Sequence, residues 1–193
     1  MVTRSIFPRQ YTGKKIPDDN IQIMLEAAKW APSHHLTEPW YFVVFSSEES
    51  RLQLGKFLSE QYKIESKKSG KYSEKKYQKK ITNMKQSSHV IAICVRPESK
   101  AKETEEIASV SMAVQNMHLV ATSFGIGSYW SSASVYDIEH KKNRSIVNSV
   151  AIKNFLGLST ESFCLGWFCV GDFDGRWPEG RRKSIDDKVM WKD

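Results

Sequence analysis

"VQNMHLVATSFGIGSYW", Val114–Trp130, joins two periodicities and so decides what kind of molecule this is. Its first half continues a helical pattern that starts near Glu103. Ile107, Val110, Ser111, Val114, Met117, His118 and Ala121 recur at three- and four-residue spacing. Charge is absent after Glu106, which suits a helix in the middle of a core. The second half begins at Gly125 and turns aromatic, and a strand is predicted over Gly125–Ala133. A core helix that runs straight into a strand calls for a sheet to pack on.

The same alternation extends in both directions. "WYFVVFS" (Trp40–Ser46), "HVIAICV" (His89–Val95) and "SFCLGWFCVGD" (Ser162–Asp172) read as further buried strands. "NIQIMLEAAKWA" follows Asp18-Asp19 as capping acids and reads as a helix stopped by Pro32. "SEESRLQLGKFLSEQY" opens on a Ser46/Glu49 capping signal, and "KKNRSIVNSVAIKNFLGL" (Lys141–Leu158) is predicted helical. Strands alternating with helices imply an α+β or α/β sandwich around one sheet, in a single domain spanning residues 1–193.

The bulk numbers fit a soluble protein. The chain has 193 residues, 40% hydrophobic and 26% charged. No apolar run reaches the roughly 18 residues of a membrane helix, and no secretory signal is visible at the N-terminus. Cys94, Cys164 and Cys169 sit in apolar runs, as expected of reduced thiols in the cytoplasm. The net charge of +7 has one source. Lys63–Lys85 holds nine lysines against Glu65 and Glu74, and the remaining 170 residues carry 20 basic and 20 acidic side chains. A surplus confined to one segment argues against a nucleic-acid footprint. That segment reads either as a mobile helix or lid, or simply as a solvated face.

Several familiar motifs fail. Gly125-Ile126-Gly127 lacks the third glycine of a dinucleotide fingerprint and precedes a strand. Phosphate-loop and nucleophile-elbow patterns are absent. His34 and His35 are adjacent, which sends them to different sides of a loop and not onto one metal face. His118 reads as a core or interface residue, and His89 and His140 carry no signal.

Four stretches have the composition of a site for a phosphate and a planar ring. "TRSIFPR" offers Thr3, Arg4, Ser5 and Arg9 as hydroxyl and guanidinium donors. "APSHHLTEPW" is a polar loop with Ser33, His34 and His35. "GIGSYWSSA" puts Trp130, Ser131 and Ser132 on a Gly-flanked strand where backbone can approach a flat ligand. "GRRKSIDDKVMW" adds Arg181, Arg182 and Lys183. Basic clusters at opposite chain ends can converge on one anion. The plain alternative is that Arg4 and Arg9 are solvated cations and that Trp40 and Trp130 are packing residues.

Taken in order, "RS", "IPDDNIQIMLEAAKWAPS…EPWYFVV", "VQNMHLVATSFGIGSYW", "LGWFCVGD" and "RRKSIDDKVMW" cover most of the chain. In that order the sequence resembles the nitroreductase family, and its opening is similar to the small single-domain branch. The resemblance implies an α+β sandwich with a central, mostly antiparallel sheet, forming an intertwined homodimer with flavin mononucleotide (FMN) at the subunit interface. It places Arg4 and Ser5 on the phosphate, with Arg182 and Lys183 joining from the C-terminus. Thr3 stands where the family often has another arginine, and Arg9 is positioned to compensate. Ser33, His34 and His35 face the flavin from one subunit, while Leu36 and Glu38 replace the frequent Asn-x-Gln. Trp130, Ser131 and Ser132 lie beside the ring.

The activity so implied moves two electrons from NADH or NADPH to a nitroaromatic, quinone or similar electron-poor acceptor, by an alternating scheme. No catalytic side chain is required, and Lys63–Lys85 is then a lid that selects the acceptor and favours anionic molecules. A flavin protein of storage or regulatory role with little turnover is the alternative, and a basic nucleic-acid module acting through Lys63–Lys85 is the third.

Overall fold

A sheet covered on both faces needs strands that are apolar on both sides, and that is why the central runs show no alternation. The computed structural model describes residues 3–98, 101–132, 134–137, 142–145 and 149–192. Its helices are α1 (Asp18–Ala28), α2 (Glu48–Lys68), α3 (Glu74–Gln86), α4 (Glu103–Ser123) and α5 (Val150–Leu156). The strands are β1 (Trp40–Phe45), β2 (His89–Val95), β3 (Gly127–Ser131), β4 (Ser134–Asp137), β5 (Lys142–Ser145) and β6 (Phe163–Gly171). Four of them form an antiparallel sheet in the order β1-β2-β6-β3, and β4 pairs with β5 separately. The architecture is α+β, as the sequence predicts.

The period-2 geometry of each strand splits the interior into two cores. Ile91, Ile93, Val95, Phe168 and Val170 point toward α1 and α4. Val90, Ala92, Cys94, Trp167 and Cys169 point toward α2, α3 and α5. The long helix α4 buries Val110, Ala113, Val114, Met117 and Ala121 against the first face. Trp40 packs on that face too, as a core-side residue. All three cysteines are buried free thiols, and burial pushes Cys169 up to about 12. Among the described residues no helix is long and apolar enough to cross a membrane.

Some local expectations change. The cap of α2 is Ser47, not Ser46; its Oγ accepts the Ser50 N–H at 3.0 Å. Asp18 and Asp19 occupy the first turn of α1 instead of capping it, where they favour the helix dipole. Lys63–Lys85 is the end of α2, a turn and α3, which packs along α2. Lys141–Leu158 is not one helix. Lys142–Ser145, without any apolar period, pairs with β4, and α5 starts only after Ser149, whose Oγ accepts the Ile152 N–H. His140 and Ala133 lie outside the described residues.

Candidate active site

The N-terminal strip is strapped to the edge of the sheet. Ser5 bridges Ser128 in parallel, and the Ile6 N–H donates to the Ser128 carbonyl at 3.0 Å. Ile6 is fully buried, worth about 2 kcal/mol. Tyr11 fills a slot that two facing glycines leave open: Gly127 and Gly171 are register partners, and a Cβ on Gly171 would overlap the Tyr11 ring. The Tyr11 hydroxyl donates to the Cys169 carbonyl at 2.9 Å. The space beside Gly127 is therefore filled by the chain's own ring, where sequence suggested room for a flat ligand.

This strap fixes Arg4. One guanidinium nitrogen, Nη1, donates to the Thr3 carbonyl at 2.6 Å, while the buried Nε has no hydrogen-bond partner. Gly180 lies directly against the guanidinium, and any Cβ there would overlap it. The C-terminal Arg181-Arg182-Lys183 run thus begins where the N-terminal Thr3-Arg4-Ser5 strip sits. Arg182 is exposed, with Nη1 donating to the Arg181 carbonyl at 2.9 Å, and Lys183 is exposed beside it. Among the described residues neither Arg4 nor Arg182 has a carboxylate partner. An orphaned buried Nε next to a run of free cations suits an anion such as a terminal phosphate.

The alternation of β3 divides the remaining residues between two faces. Ser128 and Trp130 point toward α4. There the Ser128 Oγ lies 2.5 Å from His118 Nδ1, and burial lowers the His118 pKa. Trp130 is half-buried in the α4-side core, its indole pressed against Gly166, where a Cβ would lie 2.7 Å from Nε1. Tyr129 and Ser131 point the other way, into a cavity of about 530 Å³ between the strip, α2 and α3. Arg9 is on its rim, 5.5 Å from the Phe7 ring, which packs on Tyr129 at 4.7 Å. Ser132 is exposed past the strand. The expected trio Trp130, Ser131 and Ser132 is thus not presented as one surface.

The third expected piece lies apart. Ser33 Oγ accepts the Glu38 N–H at 3.3 Å, and His34 Nε2 is 4.0 Å from Glu105 Oε2 on α4. His35, Leu36 and Glu38 all have positive φ, 51°, 53° and 45°, at about 1 kcal/mol or more each. That bend turns the His34 and His35 rings toward each other, centroids 4.0 Å apart, where adjacency alone suggested opposite sides. Among the described residues no cluster of three or more His, Cys, Asp or Glu side chains offers a metal site.

Sequence reasoning took Lys63–Lys85 as one segment and did not single out Lys76, Lys79, Lys80 and Asn83, which line the cavity from α3. Their i, i+3, i+4, i+7 spacing was the available signal, hidden by reading Lys63–Lys85 as one charge run.

The Nitroreductase family model matches residues 2–172. The chain belongs to the nitroreductase family. Within it, the Bacillus subtilis (strain 168) protein named "Putative NAD(P)H nitroreductase YfhC" is 31% identical over 133 residues, covering 68% of this chain and 67% of that protein. Among solved structures, the nitroreductase-like family protein from Bacillus cereus superposes with a TM-score of 0.73 at 21% identity, covering 97% of this chain and 90% of that one. A mutant of the FMN and NADPH-dependent nitroreductase NfnB from Sphigopyxis sp. strain HMH gives 0.69 at 16% identity, covering 98% and 94%. At such identities the likeness is one of fold. The nitroreductase match ends before Gly180, so the basic tail against Arg4 lies outside the matched span.

Proposed function

We propose that this nitroreductase-family protein binds FMN and uses it to move two electrons from NADH or NADPH to a nitroaromatic, quinone or similar electron-poor acceptor. The observation that carries the reading is the packing of Gly180 against the Arg4 guanidinium, which brings the backbone leading into Arg181-Arg182-Lys183 to the N-terminal strip. Names of relatives support it: one is an FMN and NADPH-dependent enzyme, another is named for NAD(P)H.

In this reading Arg4 directs its unpartnered Nε at the terminal phosphate, and Ser5 adds a hydroxyl. Arg182 and Lys183 close over the same dianion, with Thr3 and Arg9 as flanking donors. Ser131 presents its hydroxyl from the β3 face, and Trp130 stiffens that strand by packing behind it. Ser33, His34, His35 and Ser132 complete the site across a homodimer interface. Bound FMN supplies the redox chemistry, so the protein needs no nucleophile or acid–base pair. The cations neutralise the dianionic phosphate and so anchor the cofactor. Reductant and acceptor use the site in turn.

The absorption spectrum of the purified protein tests this. A yellow protein bleached by NADH or NADPH without oxygen is expected. Colourless protein that takes up no added FMN would end the proposal, and very slow bleaching would favour a storage or regulatory role.

A further inference from the structure

One wall of the cavity beside the proposed flavin site goes unused by that reading. Lys76, Lys79, Lys80 and Asn83 share one face of α3, and all four line the cavity. Arg9 faces the same space, and among the described residues no carboxylate lines it. Two other lysines of this stretch are neutralised: Lys63 lies 3.8 Å from Glu60 and Lys68 2.8 Å from Glu65. Among the described residues Lys76, Lys79 and Lys80 have no such ion pair. Lys80 is half-buried, its Nζ 5.2 Å from the centre of the Tyr62 ring. Burial, then the Lys76 and Lys79 charges beside it, push its pKa down. Like charges on one turn repel, and a bound anion relieves that repulsion. Phe7, Tyr62 and Tyr129 supply apolar ring surface in the same cavity. A volume of about 530 Å³ suits a small molecule, not a polymer backbone.

We infer that this cavity seats an acidic aromatic reaction partner, its ring against the aromatic wall and its carboxylate, sulfonate or phosphate on Lys76, Lys79 and Lys80. The inference rests on the flavin reading only in placing that partner on the reaction path. Two participants carry the required chemistry: an acidic acceptor, and NADPH through its 2′-phosphate.

The experiment compares the holoprotein with its Lys76→Ala/Lys79→Ala variant. Alanine suits exposed helix positions. Calorimetry with naphthalene-2-sulfonate, which accepts no electrons, reads the site directly, with neutral 2-naphthol as control. The sulfonate should bind more tightly than the naphthol, weaken with added salt, and lose about five- to tenfold in affinity in the variant. KM values for 1,4-naphthoquinone-2-sulfonate against 2-methyl-1,4-naphthoquinone, and for NADPH against NADH, then identify the source. A rise confined to the sulfonated quinone assigns the wall to the acceptor, and one confined to NADPH assigns it to the reductant. Equal binding of sulfonate and naphthol, or an unaltered variant, overturns the inference even if the protein is yellow. So does a calorimetric loss that moves neither KM. Colourless protein that still binds the sulfonate sinks the flavin reading and leaves the pocket standing. Should the double variant misfold, single Lys76→Gln and Lys79→Gln variants report the same quantities.

Discussion

Arg4 holds a full charge with one buried nitrogen unsatisfied, and a group in that condition is worth most when a ligand supplies the missing acceptor. Loss of a hydrogen bond to a charged partner costs about 1.5–3 kcal/mol, or roughly ten- to a hundredfold in Kd. Arg4→Ala should therefore weaken FMN binding by about that factor in a fluorescence titration. Riboflavin, which lacks the phosphate, should bind the variant and the parent alike. An equal loss for both flavins would place Arg4 away from the phosphate. The arginine itself was legible in the sequence as a donor beside Ser5. Its orphaned Nε was not, because that depends on Gly180 crowding the guanidinium from the far end of the chain.

The elements were largely legible because their signals are local. The apolar run at His89–Val95 becomes a strand buried on both faces and the three/four spacing after Glu103 becomes α4, whereas Trp40–Phe45, read as a buried strand, is an edge strand that is only half-buried, with Val44 exposed. Lys142–Ser145 escaped notice because a short polar strand is defined by its pairing with β4, not by its own pattern. The strap is the element with the clearest energetic test. Gly171→Ala puts a methyl into the Tyr11 ring and should cost about 1–3 kcal/mol in denaturant unfolding. In a Tyr11→Ala background the added cost of Gly171→Ala should nearly vanish, since the clash has gone. Strictly additive losses would show that the two residues do not share a slot. The strap also covers the outer edge of β3, an otherwise open row of backbone groups.

A single copy of the molecule leaves much apolar surface in water. Trp30 is 76% exposed, Leu36 83% and Trp191 88%, values rare for such side chains unless something covers them. Leu36 tops the strained loop beside His35, and Trp191 ends the tail that carries Arg182. A second copy covering these residues would bring both segments to one interface. Sedimentation should thus give twice the 22.2 kDa of one chain, and Leu36→Glu should shift the species toward monomer with loss of bound FMN. A monomeric parent protein with full flavin content would remove the two-copy site.

Periodicity, composition and the ordered motifs determined by themselves α1, α2, α4 and the four strands of the main sheet, the α+β class and the basic residues near both ends. Such signals are written among neighbours a few residues apart. Only the tertiary structure decided that Tyr11 takes the space at Gly127, that Ser131 shares a cavity with Lys76, Lys79 and Lys80, and that Arg4 meets Gly180. Each of these depends on strand register and chain path, which set distances between residues that no local pattern relates.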